Sequence, residues 1–211
     1  MLKMYKFFLA LCILIFSAST FVQAKAGDTY VSLSYASGSG DLKLAGTTYD
    51  IDLDQTDIGL TTYMDSNLYF GGSIMTGELT LAGIDIDADA TRFGLGFYDG
   101  DLDYITGSGE QFKFGLTVSD TEVTLGAISS SETTYNVGFD NSFGMGGGTI
   151  FHFGFDTDTG DLFSDNSYYG SFTKSYGSAI FELGLNYNIY VTDALNSGDS
   201  TYVFFGVGTV F

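Results

Sequence analysis

Two short combs of aspartates are the residues in this chain best suited to bind a ligand. The first comb is Asp50, Asp52 and Asp54, and the second comb is Asp85, Asp87 and Asp89. Alternate residues of a β-strand share a face, so each comb presents three carboxylates on one side of its strand. Carboxylate oxygens suit Ca²⁺ or Mg²⁺, although the spacing is not that of a calcium-binding EF-hand loop. The combs are candidate ligands for a divalent cation such as Ca²⁺, and a solvated acidic rim is the alternative; apart from such a cation we expect no cofactor.

The single histidine is the second candidate for chemistry. His152 lies between Phe151 and Phe153, and the ordinary pKa of histidine suits a general base near neutral pH. No nucleophile at a suitable spacing accompanies it, so we assign no catalytic residue. We expect His152 to be structural and the protein not to be an enzyme.

The charge balance limits the partners. The chain has 26 acidic residues against 7 Lys and Arg, a formal net charge of −19, which excludes nucleic acid as a partner. High charge can indicate disorder, but disordered chains are poor in aromatic residues. With 20 Phe, 15 Tyr, 29 Gly and no Pro in 211 residues, the composition predicts a folded protein built from strands.

The first 24 residues have the pattern of a secretory signal peptide. Lys3 and Lys6 precede an apolar stretch at 7–16, and small residues lead to Ala24. The stretch is shorter than the roughly 20 residues of a membrane-spanning helix. We therefore expect cleavage after Ala24, which would remove Cys12 and leave residues 25–211 as one domain.

Alternation with a period of two dominates the remaining chain. Phe93, Leu95 and Phe97 alternate with Arg92 and small residues, and the same pattern recurs at 111–118 and 181–188. One face of each strand is therefore apolar and the other small or polar.

An internal repeat predicts the number of strands. Residues 41–60 match residues 78–95 around a shared Leu-Ala-Gly segment, and a weaker third copy runs from 122 to 139. If each copy is one hairpin, five hairpins give ten antiparallel strands, with twelve or eight as alternatives. Short turns are expected near 65–67, 99–100, 141–147 and 174–177. The expected strands are 28–40, 47–64, 67–81, 84–98, 101–118, 127–140, 148–156, 166–174, 178–191 and 200–211.

The last strand carries a resemblance to a known family. Phe205 and Val207 alternate with glycines and lead to a terminal Phe211, and this pattern resembles the assembly signal of bacterial outer-membrane β-barrel proteins. Aromatic pairs flanking the short turns, such as Tyr63 and Tyr69, are typical of the girdle at a membrane surface. The resemblance implies a closed all-β antiparallel transmembrane barrel in the cell outer membrane, in contact with lipid and lipopolysaccharide. It also implies the barrel assembly machinery as a partner, and we expect a monomer.

The barrel interior should contain charges. Alternation directs five residues into the lumen: Asp57, Arg92, Lys113, His152 and Glu182. Isolated charges in a narrow lumen are costly, so we expect Arg92 and Lys113 to pair with Asp57, Glu182 or both. Outer-membrane proteases of the omptin family also have ten strands, but their catalytic groups lie near the extracellular rim, whereas His152 follows a turn at the opposite end.

Two functions fit these observations, and a third, an outer-membrane enzyme, lacks a nucleophile–base pair with suitable spacing. The first is a narrow passive pore or a structural component of the envelope, with the lumen open or plugged. The alternative is a surface binding or adhesion protein that uses the acidic rim to engage cations, lipopolysaccharide or a protein partner.

Overall fold

The computed structural model describes residues 27–159, 164–193 and 196–211. Residues 1–24, the expected signal peptide, lie outside the described part. The ten strands are β1 Thr29–Leu44, β2 Thr47–Tyr63, β3 Leu68–Leu81, β4 Ile84–Asp103, β5 Ser108–Leu125, β6 Ile128–Gly146, β7 Thr149–Thr159, β8 Ser164–Tyr176, β9 Ala179–Asp193 and β10 Asn196–Val210. No helix among the described residues is long and apolar enough to span a membrane.

The ten strands close into one antiparallel barrel, which confirms the predicted fold and strand number. Each strand pairs with its neighbour in sequence, and β1 closes the sheet on β10 from Tyr30↔Val210 to Lys43↔Ser197. Closure leaves no open sheet edge around the middle of the barrel, as a strand protein in lipid requires.

The repeated Leu-Ala-Gly segments form two-residue hairpin turns. Ala45 and Gly46 have φ angles of 50° and 84°, and Ala82 and Gly83 have 52° and 77°. Two consecutive residues with positive φ match a type I′ turn, whose twist suits a β-hairpin. The repeat in the sequence is therefore a repeated hairpin tip.

Two expected turns differ from the structure. The turn expected at 141–147 falls at 147–148, because residues 141–146 belong to β6, and the turn expected at 99–100 is wrong. Gly100 lies inside β4 and pairs with Gln111 of β5, so the Asp-Gly dipeptide at 99–100 does not reverse the chain. The reversal follows Asp103, whose Oδ1 accepts hydrogen bonds from the backbone N–H groups of Ile105 at 2.9 Å and Thr106 at 3.2 Å. This local capping by an Asx side chain lengthens β4 and moves β5 to 108–125.

An apolar belt surrounds the barrel. All ten strands contribute outward side chains to it: Leu33, Ile58, Ile74, Phe93, Phe114, Phe139, Phe153, Phe172, Leu183 and Phe205. Phe93 is 69% exposed and Leu183 58%, which in water would leave a very large apolar surface uncovered. A closed sheet with such a belt spans a membrane as a β-barrel of the outer-membrane type.

Candidate functional sites in the lumen and on the extracellular wall

Beyond the belt, the outer face of the strands is charged and the inner face is apolar, the reverse of their polarity within the belt. On β4, Asp85, Asp87 and Asp89 are exposed, whereas Ile86 and Ala88 between them are buried. Strands β1 to β6, together with β9 and β10, continue beyond the belt at this end. We call this part the extension and place it outside the cell, where the longer segments of outer-membrane barrels lie.

Inside the belt, an ion pair links β2 and β4 across β3. Arg92 Nη1 lies 3.3 Å from Asp57 Oδ2, with the side chains 2% and 15% exposed. Ser73 Oγ donates to Asp57 Oδ2 at 3.0 Å, and Arg92 Nη2 donates to Met75 Sδ at 3.2 Å. The expected pairing of Arg92 with Asp57 is therefore present.

Lys113 is buried in a different setting. Its Nζ lies 3.4 Å from Tyr63 Oη and 5.4 Å from the ring centroid of Tyr69, so the tyrosines supply a hydroxyl and a cation–π contact. Lys113 also lines a cavity of about 20 Å³ together with Asp140 and Asp156, room for about one water. The two aspartates were not among the predicted lumen charges, although alternation along β6 and β7 could have identified them.

His152 and Glu182 are held by hydroxyl groups. His152 Nδ1 lies 2.6 Å from Ser142 Oγ, and its Nε2 lies 3.2 Å from Thr173 Oγ1. The ring stacks on Tyr104 with centroids 6.1 Å apart, and Ser171 Oγ donates to Glu182 Oε1 at 2.6 Å. Both ring nitrogens thus contact hydroxyl groups inside a buried network, which fits a structural histidine.

Two apolar layers lie above and below these charges. At the turn end, five tyrosines pack with Leu102, Ile150 and Ile180; they are Tyr30, Tyr63, Tyr69, Tyr98 and Tyr104. On the extension side of the charges, a larger cluster includes Leu53, Met75, Leu79, Ile86 and Phe204. Among the described residues the barrel is thus filled by a polar layer between two apolar ones.

Inward glycines make room for this filling. A Cβ at Gly115 would collide with the hydroxyl of Tyr69, and one at Gly184 would collide with the ring of Phe204. The glycine-rich inner face therefore receives aromatic rings rather than leaving an open channel.

The outer face of the extension is acidic. We call it the acidic wall: Asp52, Asp54, Glu78, Asp85, Asp87, Asp89, Asp120 and Glu122. Strand pairing sets Asp54 opposite Glu78, and Glu78 opposite Asp87. Directly opposed like charges each destabilise a sheet by about 0.2–1 kcal/mol. This cost makes the wall a candidate site for cationic partners.

Hydrogen bonds hold part of the wall. Tyr35 Oη donates to Asp54 Oδ1 at 2.6 Å, and this bond lowers the pKa of Asp54, with Ser37 adding to the effect. Thr80 Oγ1 donates to Asp85 at 2.9 Å. No group of three or more His, Cys, Asp or Glu in the described chain is arranged to hold a metal ion, so Ca²⁺ binding by the combs stays a prediction.

The last strand has the geometry expected of a closing strand. Phe205 is exposed on the belt, and Val207 lies on the same outward face. Phe211 follows the strand and exchanges two backbone hydrogen bonds with Thr29, at 3.0 and 3.1 Å. Its side chain is 75% exposed.

Comparison with known proteins finds similar chains among solved structures. No family model and no curated protein matches it. The translocator domain of autotransporter NalP from Neisseria meningitidis is similar with a TM-score of 0.48 and 10% identity, over 99% of this chain and 95% of that one. The outer membrane protease OmpT from Escherichia coli is similar with a TM-score of 0.49 and 8% identity, over 92% and 99%. Ail, the attachment invasion locus protein of Yersinia pestis, is similar with a TM-score of 0.39 and 10% identity, over 89% and 100%.

These likenesses are too weak to carry an argument about activity, and the three proteins have different roles. The closed ten-strand sheet and the apolar belt on every strand are what make this chain an outer-membrane β-barrel.

Proposed function

We propose that this protein is a non-conducting structural barrel of the outer membrane that presents a rigid, acidic extension outside the cell. The observation that carries the proposal is the filled lumen, in which the Arg92–Asp57 layer lies between two apolar clusters. Ions crossing this interior would have to displace packed aromatic rings. The filling favours a structural barrel over a passive pore.

The extension holds the acidic wall in a fixed position outside the membrane. Its inner face is packed with apolar side chains such as Leu79 and Ile86, both fully buried. Packing of this kind keeps strands in place outside the membrane, because the two sides of the sheet cannot separate without exposing apolar surface. The acidic wall is thus held on a fixed framework rather than on loops.

Conductance in planar bilayers tests the proposal. The refolded full chain, shown to be inserted by heat-modifiable migration on gels, should give no discrete channel steps under conditions in which a general porin does. Regular steps that scale with the amount of inserted protein would show that the lumen conducts and would refute the closed barrel.

Surface binding is the second candidate function, and the opposed carboxylates of the acidic wall favour it. A divalent cation between Asp54 and Glu78 or between Glu78 and Asp87 would relieve the repulsion across these strand pairs. The effect of Ca²⁺ on unfolding, described below, tests this candidate separately from conductance.

A further inference from the structure

An amide side chain faces outward within the apolar belt. Asn141 of β6 is half-buried on the outer face, and its outward neighbours along the strand are Phe139 and Phe143. The residues directly opposite it are Phe112 of β5 and Phe153 of β7. Asn141 is therefore surrounded by four phenylalanines on the surface that faces lipid.

The depth of Asn141 keeps its amide away from water. Between Asn141 and the turn that joins β6 to β7, Phe143 and Met145 are both exposed on the same outer face. On a strand tilted by about 40°, each step of two residues lowers the position by about 5 Å. The side chain of Asn141 is too short to reach past two such positions to the membrane surface.

The barrel itself does not satisfy this amide. Asn141 makes no side-chain hydrogen bond within the described part of the chain, and the four phenyl rings around it are poor partners for an amide. The amide has two N–H donors and a carbonyl acceptor, and hydrocarbon has no groups to bond them. An isolated barrel therefore bears the cost of a polar group without partners in lipid.

Two rows of aromatic rings extend on either side of Asn141. Within each row, neighbouring rings have centroids between 5.0 and 6.5 Å apart. We call the two rows the aromatic face, and they are Phe112, Phe139, Phe155 and Tyr168 in one row and Phe143, Phe153, Phe151 and Phe172 in the other. Aromatic residues are enriched in protein interfaces, and rings that already pack on one another lose little freedom when a partner covers them.

A second copy of this chain matches the chemistry of the aromatic face. A primary amide is self-complementary, because each Asn141 can donate an N–H to the carbonyl oxygen of the other. A two-fold axis along the membrane normal would set this residue of both barrels at the same depth.

The charges of the extension are compatible with this arrangement. The acidic wall lies on β2 to β5, whereas described residues that point outward beyond the belt on β6 to β8 are uncharged, such as Thr133, Thr157 and Asn166. Two barrels can therefore meet at their aromatic faces without setting one acidic wall against the other.

We propose that two copies of this chain associate in the membrane through the aromatic face, with the two Asn141 side chains hydrogen-bonded to each other. The proposal replaces the expectation of a monomer, which the sequence alone suggested. It does not depend on a closed lumen, so conductance and association test separate ideas.

Sedimentation equilibrium of the refolded chain in density-matched zwitterionic micelles measures the association. The wild type should change from monomer to dimer as the ratio of protein to detergent rises. Asn141→Leu keeps the size of the side chain but removes the amide, and it should weaken dimerisation by about 5- to 30-fold, the usual effect of a polar side chain that bonds across a membrane interface. Asn141→Gln keeps the amide and should dimerise more strongly than Asn141→Leu.

Two controls separate the interface from the fold. Thr201→Val removes an exposed outward hydroxyl on β10, away from the aromatic face, and should leave dimerisation unchanged. At protein concentrations where the wild type is monomeric, Asn141→Leu should not lower the unfolding temperature, because the amide bonds to nothing in its own barrel.

Photo-cross-linking in outer membranes identifies the partner. Benzoylphenylalanine in place of Phe153, next to Asn141, should give a product that contains two copies of the chain, shown by two different epitope tags. Benzoylphenylalanine in place of Leu33, on β1 at the far side of the barrel, should not give this product.

Four results would each contradict the proposal. A wild type that stays monomeric at every ratio would show that lipid or detergent alone covers the aromatic face. Equal dimerisation of wild type and Asn141→Leu would exclude a contribution of the amide, and a lower unfolding temperature of monomeric Asn141→Leu would assign the amide to its own barrel. Cross-links from position 153 only to a different protein would show that the partner is not a second copy.

Discussion

The Arg92–Asp57 pair offers a quantitative test of how the lumen is stabilised. At 3.3 Å, two unit charges attract by about 5 kcal/mol with an effective dielectric constant of about 20. Because both groups are largely removed from water, that attraction mainly offsets the cost of desolvating them. Either Asp57→Asn or Arg92→Met should thus lower the free energy of unfolding by about 3–5 kcal/mol, since each leaves one buried charge without its partner.

The double variant distinguishes a paired from a hydrated lumen. With both charges removed, the free energy of unfolding should return to within about 1 kcal/mol of the wild type, giving a coupling of about 5 kcal/mol or more. Urea unfolding in micelles, followed by tyrosine fluorescence and by gel migration, measures all four proteins. Asp65→Asn, an exposed carboxylate in the turn between β2 and β3, is the control and should change stability by less than about 0.5 kcal/mol. Losses below about 1 kcal/mol for both single variants, or additive losses in the double variant, would refute the buried pair.

Three further changes test other parts of the barrel. If the second comb binds Ca²⁺, the ion should raise the unfolding temperature of the wild type but not of a variant with Asp85, Asp87 and Asp89 changed to Asn. An unfolding temperature of the wild type that does not change with Ca²⁺ would support a solvated acidic rim instead. Gly115→Ala should lower the free energy of unfolding by about 1–3 kcal/mol, because the added Cβ would collide with the hydroxyl of Tyr69. Adding Tyr69→Phe to this variant should recover part of that loss. An unchanged stability of Gly115→Ala would contradict the close contact. Deleting Phe211 should reduce the folded fraction on heat-modifiable gels, since its backbone bonds to Thr29 across the closing strands; an unchanged yield would mean that closure does not need them.

The sequence predicted the barrel well because a period of two is a local property. The outward positions of Phe93, Leu95 and Phe97, and the inward position of Arg92, follow from alternation alone and agree with the structure. The hairpin repeat was equally informative, since Ala45–Gly46 and Ala82–Gly83 adopt the same turn. Asp57 and Arg92 occupy equivalent positions in the two copies, and they form an ion pair although the register sets Asp57 opposite Met75 and Arg92 opposite Ser73.

Features that depend on closure or on local capping could not be predicted in this way. The dipeptide at 99–100 has turn composition, but the side chain of Asp103 provides the hydrogen bonds that reverse the chain. An inward glycine can leave empty space or lie against an aromatic ring, and the register between strands decides which residue lies beside it. Gly184, for example, lies against the ring of Phe204. The partners of Lys113 were missed for the same reason, because Asp140 lies on the neighbouring strand at a register set by the fold.

The change of the outer face from charged to apolar also determines how deeply the barrel sits in the membrane. On β4, the outward residue changes from Asp89 through Thr91 to Phe93 without a bulge. Side chains therefore keep alternating between the two faces, while the outer face changes from charged to apolar. Moving the barrel inward by two residues per strand would bring the carboxylate of Asp89 to the hydrocarbon boundary. Moving it outward would expose Phe93, whose burial contributes about 1.5–3 kcal/mol. Similar transitions occur on β2, between Asp54 and Ile58, and on β5, between Asp120 and Val118. Each displacement is therefore penalised on several strands at once. The acidic wall therefore stays at a fixed height above the membrane.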